Sequence, residues 1–180
     1  MTMTDIEAIP RPTVAGEETA ALRRFHRDVT WQGRIEEGGM GPGTPAQTAT
    51  GKATHHWIQD GRWVVGDFEQ EQYLEDGTFV LKWQLHWVCG WDDANGEYRA
   101  TIADCYGHTE IMRGRIEGDQ MIFASMRQTP PMLMMTWDAS VPDLLLWRNE
   151  MSLDGEDWQL IEEYRMVPID QGTAQASVEG

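Results

Sequence analysis

"VLKWQLHWVCGWD", residues 80–92, decides the fold, because its apolar and polar side chains alternate with the period of a β-strand. As a strand, the stretch and its preceding residue would present one wholly apolar face, made of Phe79, Leu81, Trp83, Leu85, Trp87, Cys89 and Trp91. A monomer does not tolerate an exposed apolar face of this size, so the face must be covered.

Two arrangements would cover the tryptophans. We expect Trp83 and Trp87 to face the interior of a barrel and to border its cavity, with His86 pointing the other way. The reason is energetic, since each buried indole removes about 150–250 Å² from water. In the alternative, the tryptophan face forms a homodimer interface, and Lys82, Gln84 and His86 line a polar lumen.

The rest of the chain repeats this pattern. Short runs of alternating residues are separated by turn signals, such as "EDG" at 75–77 and "DDANG" at 92–96. A helix is predicted only near the start, over about residues 17–26, where acids precede bases. About ten strands in up-and-down order, without crossover helices, predict an all-β antiparallel barrel, because closure removes exposed strand edges. A two-sheet sandwich is the alternative.

A chain of 180 residues is long enough for one domain with a sizeable core. We expect a flexible arm over residues 1–15, a single barrel domain over 16–168 and a disordered tail over 169–180. The formal net charge of −16 argues against nucleic acid and anionic membrane surfaces as partners.

The location is predicted from the start of the chain and from its cysteines. The sequence begins without the pattern of a signal peptide and has no apolar run of membrane-spanning length. Cys89 and Cys105 are outside any CxxC pair, and we expect two buried, reduced thiols. These features predict a cytoplasmic protein.

Several turn-and-strand signatures resemble the DUF1579 family of uncharacterised proteins, which is similar to the calycins, the lipocalin-like barrels. They are "WQG" at 31–33, the loop at 38–52, "DGRWVVGDFEQ" at 60–70, the stretch at 89–107 and "GRIEGDQM" at 114–121. The resemblance covers about residues 20–168 and implies a fold, with no catalytic residue to carry over. The entry "FHRDVTW" departs from the family pattern, so His26 and Asp28 are particular to this chain.

Candidate ligand-binding residues follow from the inward orientation of the tryptophan face. An apolar pocket with adaptable walls is typical of small-molecule barrels. We expect the walls to include Phe68, Trp83, Leu85, Trp87, Met134 and Trp137.

Candidate catalytic residues are the groups able to move a proton in a desolvated pocket, namely His56, Glu69, His86, Asp104, Tyr106 and His108. "IADCYGH" at 102–108 is the most suggestive stretch, although each residue also has an ordinary structural explanation. Glu69 shares its strand face with Asp67 and Glu71, a pattern typical of a solvated face.

The scattered histidines predict that the protein holds no zinc, no haem and no other cofactor, since no HxH or HxxxH spacing occurs. The favoured hypothesis is a barrel that acts on an apolar, polycyclic or aromatic small molecule, with a cofactor-free cyclase, isomerase or lyase as its enzymatic form. The alternatives are a non-catalytic carrier and an interaction module that dimerises through the tryptophan face.

Overall fold

The computed structural model describes residues 14–169. Within this range a short α-helix, α1, leads into a 3-10 turn at Leu22–Arg24 and then into ten strands. Their bounds are α1 Glu17–Ala21, β1 Val29–Ile35, β2 Gln47–Ile58, β3 Trp63–Leu74, β4 Phe79–Asp92, β5 Glu97–Asp104, β6 Thr109–Glu117, β7 Gln120–Ser125, β8 Met132–Asp138, β9 Leu145–Ser152 and β10 Trp158–Pro168.

The strands form a closed antiparallel barrel in which each strand pairs with its sequence neighbours and β1 closes the sheet against β10. The predicted fold class is therefore confirmed, and the sandwich is wrong. No helix within residues 14–169 is both long and apolar enough to cross a bilayer. The expectations for residues 1–13 and 170–180 fall outside the described part of the chain.

Side chains alternate between the barrel interior and its outer surface along every strand. On β4, Trp87 and Cys89 are buried, whereas Lys82, Gln84 and His86 are exposed. The apolar face of β4 thus points inward from Leu81 onward, as predicted, whereas Phe79 at the start of the strand is 53% exposed. The expectation of two buried thiols is wrong for Cys105: both cysteines are free, but Cys105 is exposed near the end of β5.

The segment containing α1 closes one end of the barrel. Leu22, Phe25 and His26 are buried there, and the hydroxyl of Tyr98 donates to the backbone oxygen of Glu18 at 2.9 Å. Arg23 lies over the ring of Trp57, 4.3 Å from its centroid. We call this the closed end.

At the closed end, each ring nitrogen of His26 has a hydrogen-bond partner. Its Nε2 accepts the indole N–H of Trp87 at 2.9 Å, and its Nδ1 lies 3.0 Å from the backbone oxygen of Leu22. This pattern requires a neutral ring with its proton on Nδ1. Burial, reinforced by the nearby His55, lowers the pKa of His26 to about 3.

Candidate functional site

A cavity of about 440 Å³ opens at the end of the barrel opposite α1, and we call it the mouth cavity. This volume is in the range of small-molecule sites. Its walls come from the β1–β2 connection and from the strand ends at this side. They are lined by Gly39, Met40, Gln70, Gln72, Trp83, Ile102, Asp104, His108, Thr109, Glu110, Arg127, Leu133, Met135, Asn149, Ile161 and Glu162.

Beneath the mouth cavity, aromatic rings fill most of the barrel. Neighbouring rings have centroids 4.9–6.3 Å apart and form a closed circle of His26, Trp87, Trp137, Trp147, Tyr164, Trp31, Phe68 and His55. The circle leaves a chamber of only about 40 Å³, so the deep interior is packed core rather than an open pocket.

A carboxyl group lies at the boundary between the aromatic circle and the mouth cavity. Glu162 lines both spaces and is only 8% exposed. Its Oε1 accepts the side-chain N–H of Asn149 at 2.8 Å, and its Oε2 accepts the hydroxyl of Tyr164. We call Asn149, Glu162 and Tyr164 the carboxyl cluster.

Burial governs the acid–base properties of this cluster. It raises the pKa of Glu162, and the hydrogen bonds from Asn149 and Tyr164 offset only part of that effect. Burial and the adjacent carboxyl group raise the pKa of Tyr164 well above its ordinary value. A buried carboxyl with a raised pKa beside a cavity is suited to accept or donate a proton.

The position of Tyr164 is fixed by its aromatic neighbours and by a glycine. Its ring stacks on Trp147 at 4.9 Å and 11° and lies 6.2 Å from Trp31. Gly33 pairs with Tyr164 across the β1–β10 ladder, and a Cβ there would come within 2.5 Å of the tyrosine ring. Glycine at position 33 therefore lets Tyr164 point toward Glu162.

Two buried amide side chains at the cluster carry an oxygen without a hydrogen bond to protein, Oε1 of Gln72 and Oδ1 of Asn149. A third amide, Gln70, is 2% exposed, and its side chain interacts with the hydroxyl of Tyr164. The other end of Gln70 is fixed, because its Oε1 accepts the indole N–H of Trp31 at 3.1 Å. Unmatched buried atoms such as those of Gln72 and Asn149 are costly, and they are typical of sites that bind a further molecule.

The rim of the mouth cavity holds two further carboxylates. Glu110 is 2.5 Å from the guanidinium of Arg127 and accepts the hydroxyl of Ser125 at 2.7 Å. Asp104 accepts the indole N–H of Trp83 at 3.4 Å and lies 3.2 Å from Nδ1 of His108. Partial burial opposes ionisation of Asp104, but backbone N–H donors, Trp83 and His108 hold its pKa below the usual value.

The predicted ligand-binding residues lie inside the barrel, with one exception. Phe68, Trp83, Leu85, Trp87 and Trp137 line the deep chamber, and Trp83 also borders the mouth cavity. Met134 lies outside both spaces, and its neighbours Leu133 and Met135 face the mouth cavity instead. The placement of Met134 inside is therefore wrong, because adjacent strand residues point to opposite faces.

The predicted catalytic residues are brought together only in part. His56, Glu69 and His86 lie on the outer surface, where His86 is 2.5 Å from Asp67 and Glu69 is 2.6 Å from Lys82. Glu69 and His86 line an outer depression of about 350 Å³ that Asp104 also borders. The hydrogen bond from Lys82 lowers the pKa of Glu69. Tyr106 is 55% exposed in the β5–β6 turn, whereas Asp104 and His108 belong to the rim of the mouth cavity. None of the six touches the carboxyl cluster.

The carboxyl cluster was not predicted from the sequence, although the sequence contains a signal for it. In "EEYRM", residues 162–166, one strand face reads Glu162, Tyr164, Met166, which places a charge among residues suited to a core. A bulge between Leu160 and Glu162 hides the signal, because it changes which residues of β10 point inward.

A second depression crosses the outer surface of β1, β2, β9 and β10, with a volume of about 810 Å³. Its walls include Arg34, Arg148 and Arg165 and consist mostly of outward-facing side chains. Within residues 14–169, no group of three or more His, Cys, Asp or Glu side chains is placed to hold a metal ion.

Comparison with known proteins supports the fold. The chain is similar to the crystal structure of Rv2717c from M. tuberculosis, with a TM-score of 0.60 over 87% of this chain and 99% of the other, at 13% sequence identity. At that identity the likeness concerns the fold alone. No family model matches the chain, and neither does any curated protein, so the resemblance to DUF1579 stays a prediction.

Proposed function

We propose that this protein binds an apolar small molecule with an aromatic ring in the mouth cavity and recognises a polar group of that molecule through the carboxyl cluster. The observation that carries the proposal is Glu162, a buried carboxyl that borders a cavity of ligand size. Trp83, Ile102, Leu133 and Met135 supply apolar walls, and few convergent polar groups beside such walls are typical of ligand sites.

A neutral naphthalene derivative tests this proposal. Naphthylethanol titrated into the protein should quench tryptophan emission and release heat in calorimetry, because Trp83 borders the cavity. Trp83→Ala should weaken the binding. A matched control is Trp158→Ala, which changes the same residue type at the start of β10, outside both cavities. Unchanged affinity in Trp83→Ala would place the ligand elsewhere.

A second candidate function is cofactor-free proton transfer, as in an isomerase, cyclase or lyase. The raised pKa of Glu162 favours it. The carboxylate would take a proton from one carbon of the ligand and return it to another, while Tyr164 and Asn149 keep the carboxyl oriented. Methyl naphthyl ketone in heavy water offers a test, since the protein should accelerate exchange of its methyl protons and Glu162→Gln should not.

A dimer interface on β4 would require Trp83 and Trp87 to face outward. Because both side chains face inward, we do not propose dimerisation through the tryptophan face. We retain membership of DUF1579 and similarity to the calycins as part of the proposal, because they agree with a closed barrel. We also retain a cytoplasmic location, because free Cys89 and Cys105 suit a reducing compartment.

A further inference from the structure

We infer that the polar group of the ligand is a protonated amine, which serves as the counter-ion of Glu162 inside the mouth cavity. This inference rests on the proposed function and narrows it to organic cations. It follows from three independent features: the charge of the carboxyl cluster, its surplus of acceptors and the balance of charge around the cavity.

The first feature is a carboxylate without a cationic partner. Asn149 donates an N–H to one oxygen of Glu162, and Tyr164 donates its O–H to the other, so both oxygens act as acceptors. These bonds suit the ionised form. Within residues 14–169 the hydrogen-bond partners of Glu162 are these two neutral side chains, and the guanidinium of the cavity wall, Arg127, pairs with Glu110 instead. A buried charge without a counter-ion is strongly unfavourable, and a cationic ligand would supply the missing charge.

The second feature is the excess of hydrogen-bond acceptors. Oδ1 of Asn149 and Oε1 of Gln72 have no donor in the protein, whereas the side chain of Gln70 interacts with the hydroxyl of Tyr164. The orientation of Asn149 is fixed, because its nitrogen is bound to Glu162. An ammonium group brings up to three N–H donors and no acceptor, which fits this set.

The third feature is the charge of the cavity wall. Three carboxylates line it, Asp104, Glu110 and Glu162, against one guanidinium, Arg127, and the imidazole of His108, which lies 3.2 Å from Asp104. Arg127 is already engaged by Glu110 at 2.5 Å. With a formal net charge of −16 over the whole chain, the protein attracts cations toward this opening. The apolar walls formed by Met40, Ile102 and Leu133 favour an organic cation over a hydrated metal ion.

The experiment compares three compounds that share one ring system: naphthylethylamine, naphthylethanol and naphthylacetate. Calorimetry on the full chain near neutral pH should show the amine binding about 10- to 100-fold more tightly than the alcohol, the size of a charge-assisted hydrogen bond. The acid should bind most weakly. Millimolar calcium chloride should not displace the amine.

Glu162→Gln should bring the affinities of the amine and the alcohol to within about threefold of each other, because it removes the charge while keeping the shape. The matched control is Glu163→Gln, which makes the same change of charge one residue away on the outer face of β10 and should leave the preference intact. The order measured on the unmodified protein tests the inference even if Glu162→Gln does not fold.

Each contrary result has a distinct meaning. If the alcohol binds as tightly as the amine, or the acid binds best, the counter-ion role of Glu162 is wrong while the proposed binding function survives. Displacement of the amine by calcium would instead indicate a metal site and overturn the inference. If none of the three compounds binds, the proposed function fails together with the inference.

Discussion

Two buried titratable side chains, one at each end of the barrel, are held in different ways. At the closed end, His26 is surrounded by aromatic rings, and each of its nitrogens has a partner. At the mouth, Glu162 is equally enclosed, yet the amides of Gln72 and Asn149 beside it have unmatched atoms. An unmatched buried atom does not by itself mark a functional group, since Nε of Arg27, next to His26, is also unmatched. The residues at the mouth differ because their unmatched atoms belong to side chains that line a cavity.

The largest expected contrast is between two tryptophans four residues apart on the same face of β4. Trp87 is 2% exposed, contacts Phe123 and Trp137, and bonds to His26. Trp87→Ala should therefore lower the free energy of unfolding by about 3–5 kcal/mol. Trp83→Ala should cost about half of that or less, since half-buried Trp83 already borders a cavity. Denaturant unfolding measures both, and equal losses would contradict the division into core and cavity.

The next prediction concerns acid sensitivity at the closed end. The pKa of His26 is lowered from 6.5 to about 3, so its stabilising contribution is complete above pH 6.5 and is lost as the pH falls toward 3. Between pH 8 and pH 5, this histidine alone should reduce the free energy of unfolding by about 2 kcal/mol. His26→Leu should make the dependence on pH shallower by that amount. An unchanged slope would show that His26 is not buried as a neutral ring.

At the mouth, the contribution of Glu162 to the free energy of unfolding should depend on pH in the opposite direction. Glu162→Gln should raise the free energy of unfolding by about 1–2 kcal/mol near neutral pH, because it removes a buried charge without a counter-ion. The gain should shrink as the pH falls through the raised pKa of the folded state, and it should vanish below about 4.5, where the carboxyl is protonated in both states. Thermal unfolding at several pH values measures it. A loss of stability in Glu162→Gln would mean that the carboxylate is structural.

The smallest effects should come from the outer surface. Glu69→Gln and His86→Ala alter exposed ion pairs with Lys82 and Asp67, so each should change stability by less than about 1 kcal/mol. Neither should change the affinity for naphthylethanol by more than about threefold, since both residues lie outside the mouth cavity. A large loss of affinity in either variant would indicate that the ligand binds on the outer face of β3 and β4 instead.

The sequence was sufficient for the barrel and for the inner face of β4, because thirteen alternating residues define one face unambiguously and only that face is apolar. It was insufficient where two similar residues are adjacent. Glu162 and Glu163 are adjacent and point to opposite faces of the sheet, and the same is true of Met134 and Met135. In β10 a bulge also shifts the alternation of inward and outward side chains. Tyr164 is only two residues from Glu162, but Asn149 lies on β9, and the register of the β9–β10 pair places it opposite Glu162.

The most direct test of the central claim, that ligands occupy the mouth and not the aromatic circle, follows the indole N–H signals by NMR. Variants with single tryptophans replaced by phenylalanine assign the signals. On titration with naphthylethanol, we predict that the signal of Trp83, at the cavity wall, shifts. The signal of Trp87, bonded to His26 at the closed end, should stay in place. A shift of Trp87 with no change at Trp83 would contradict the account.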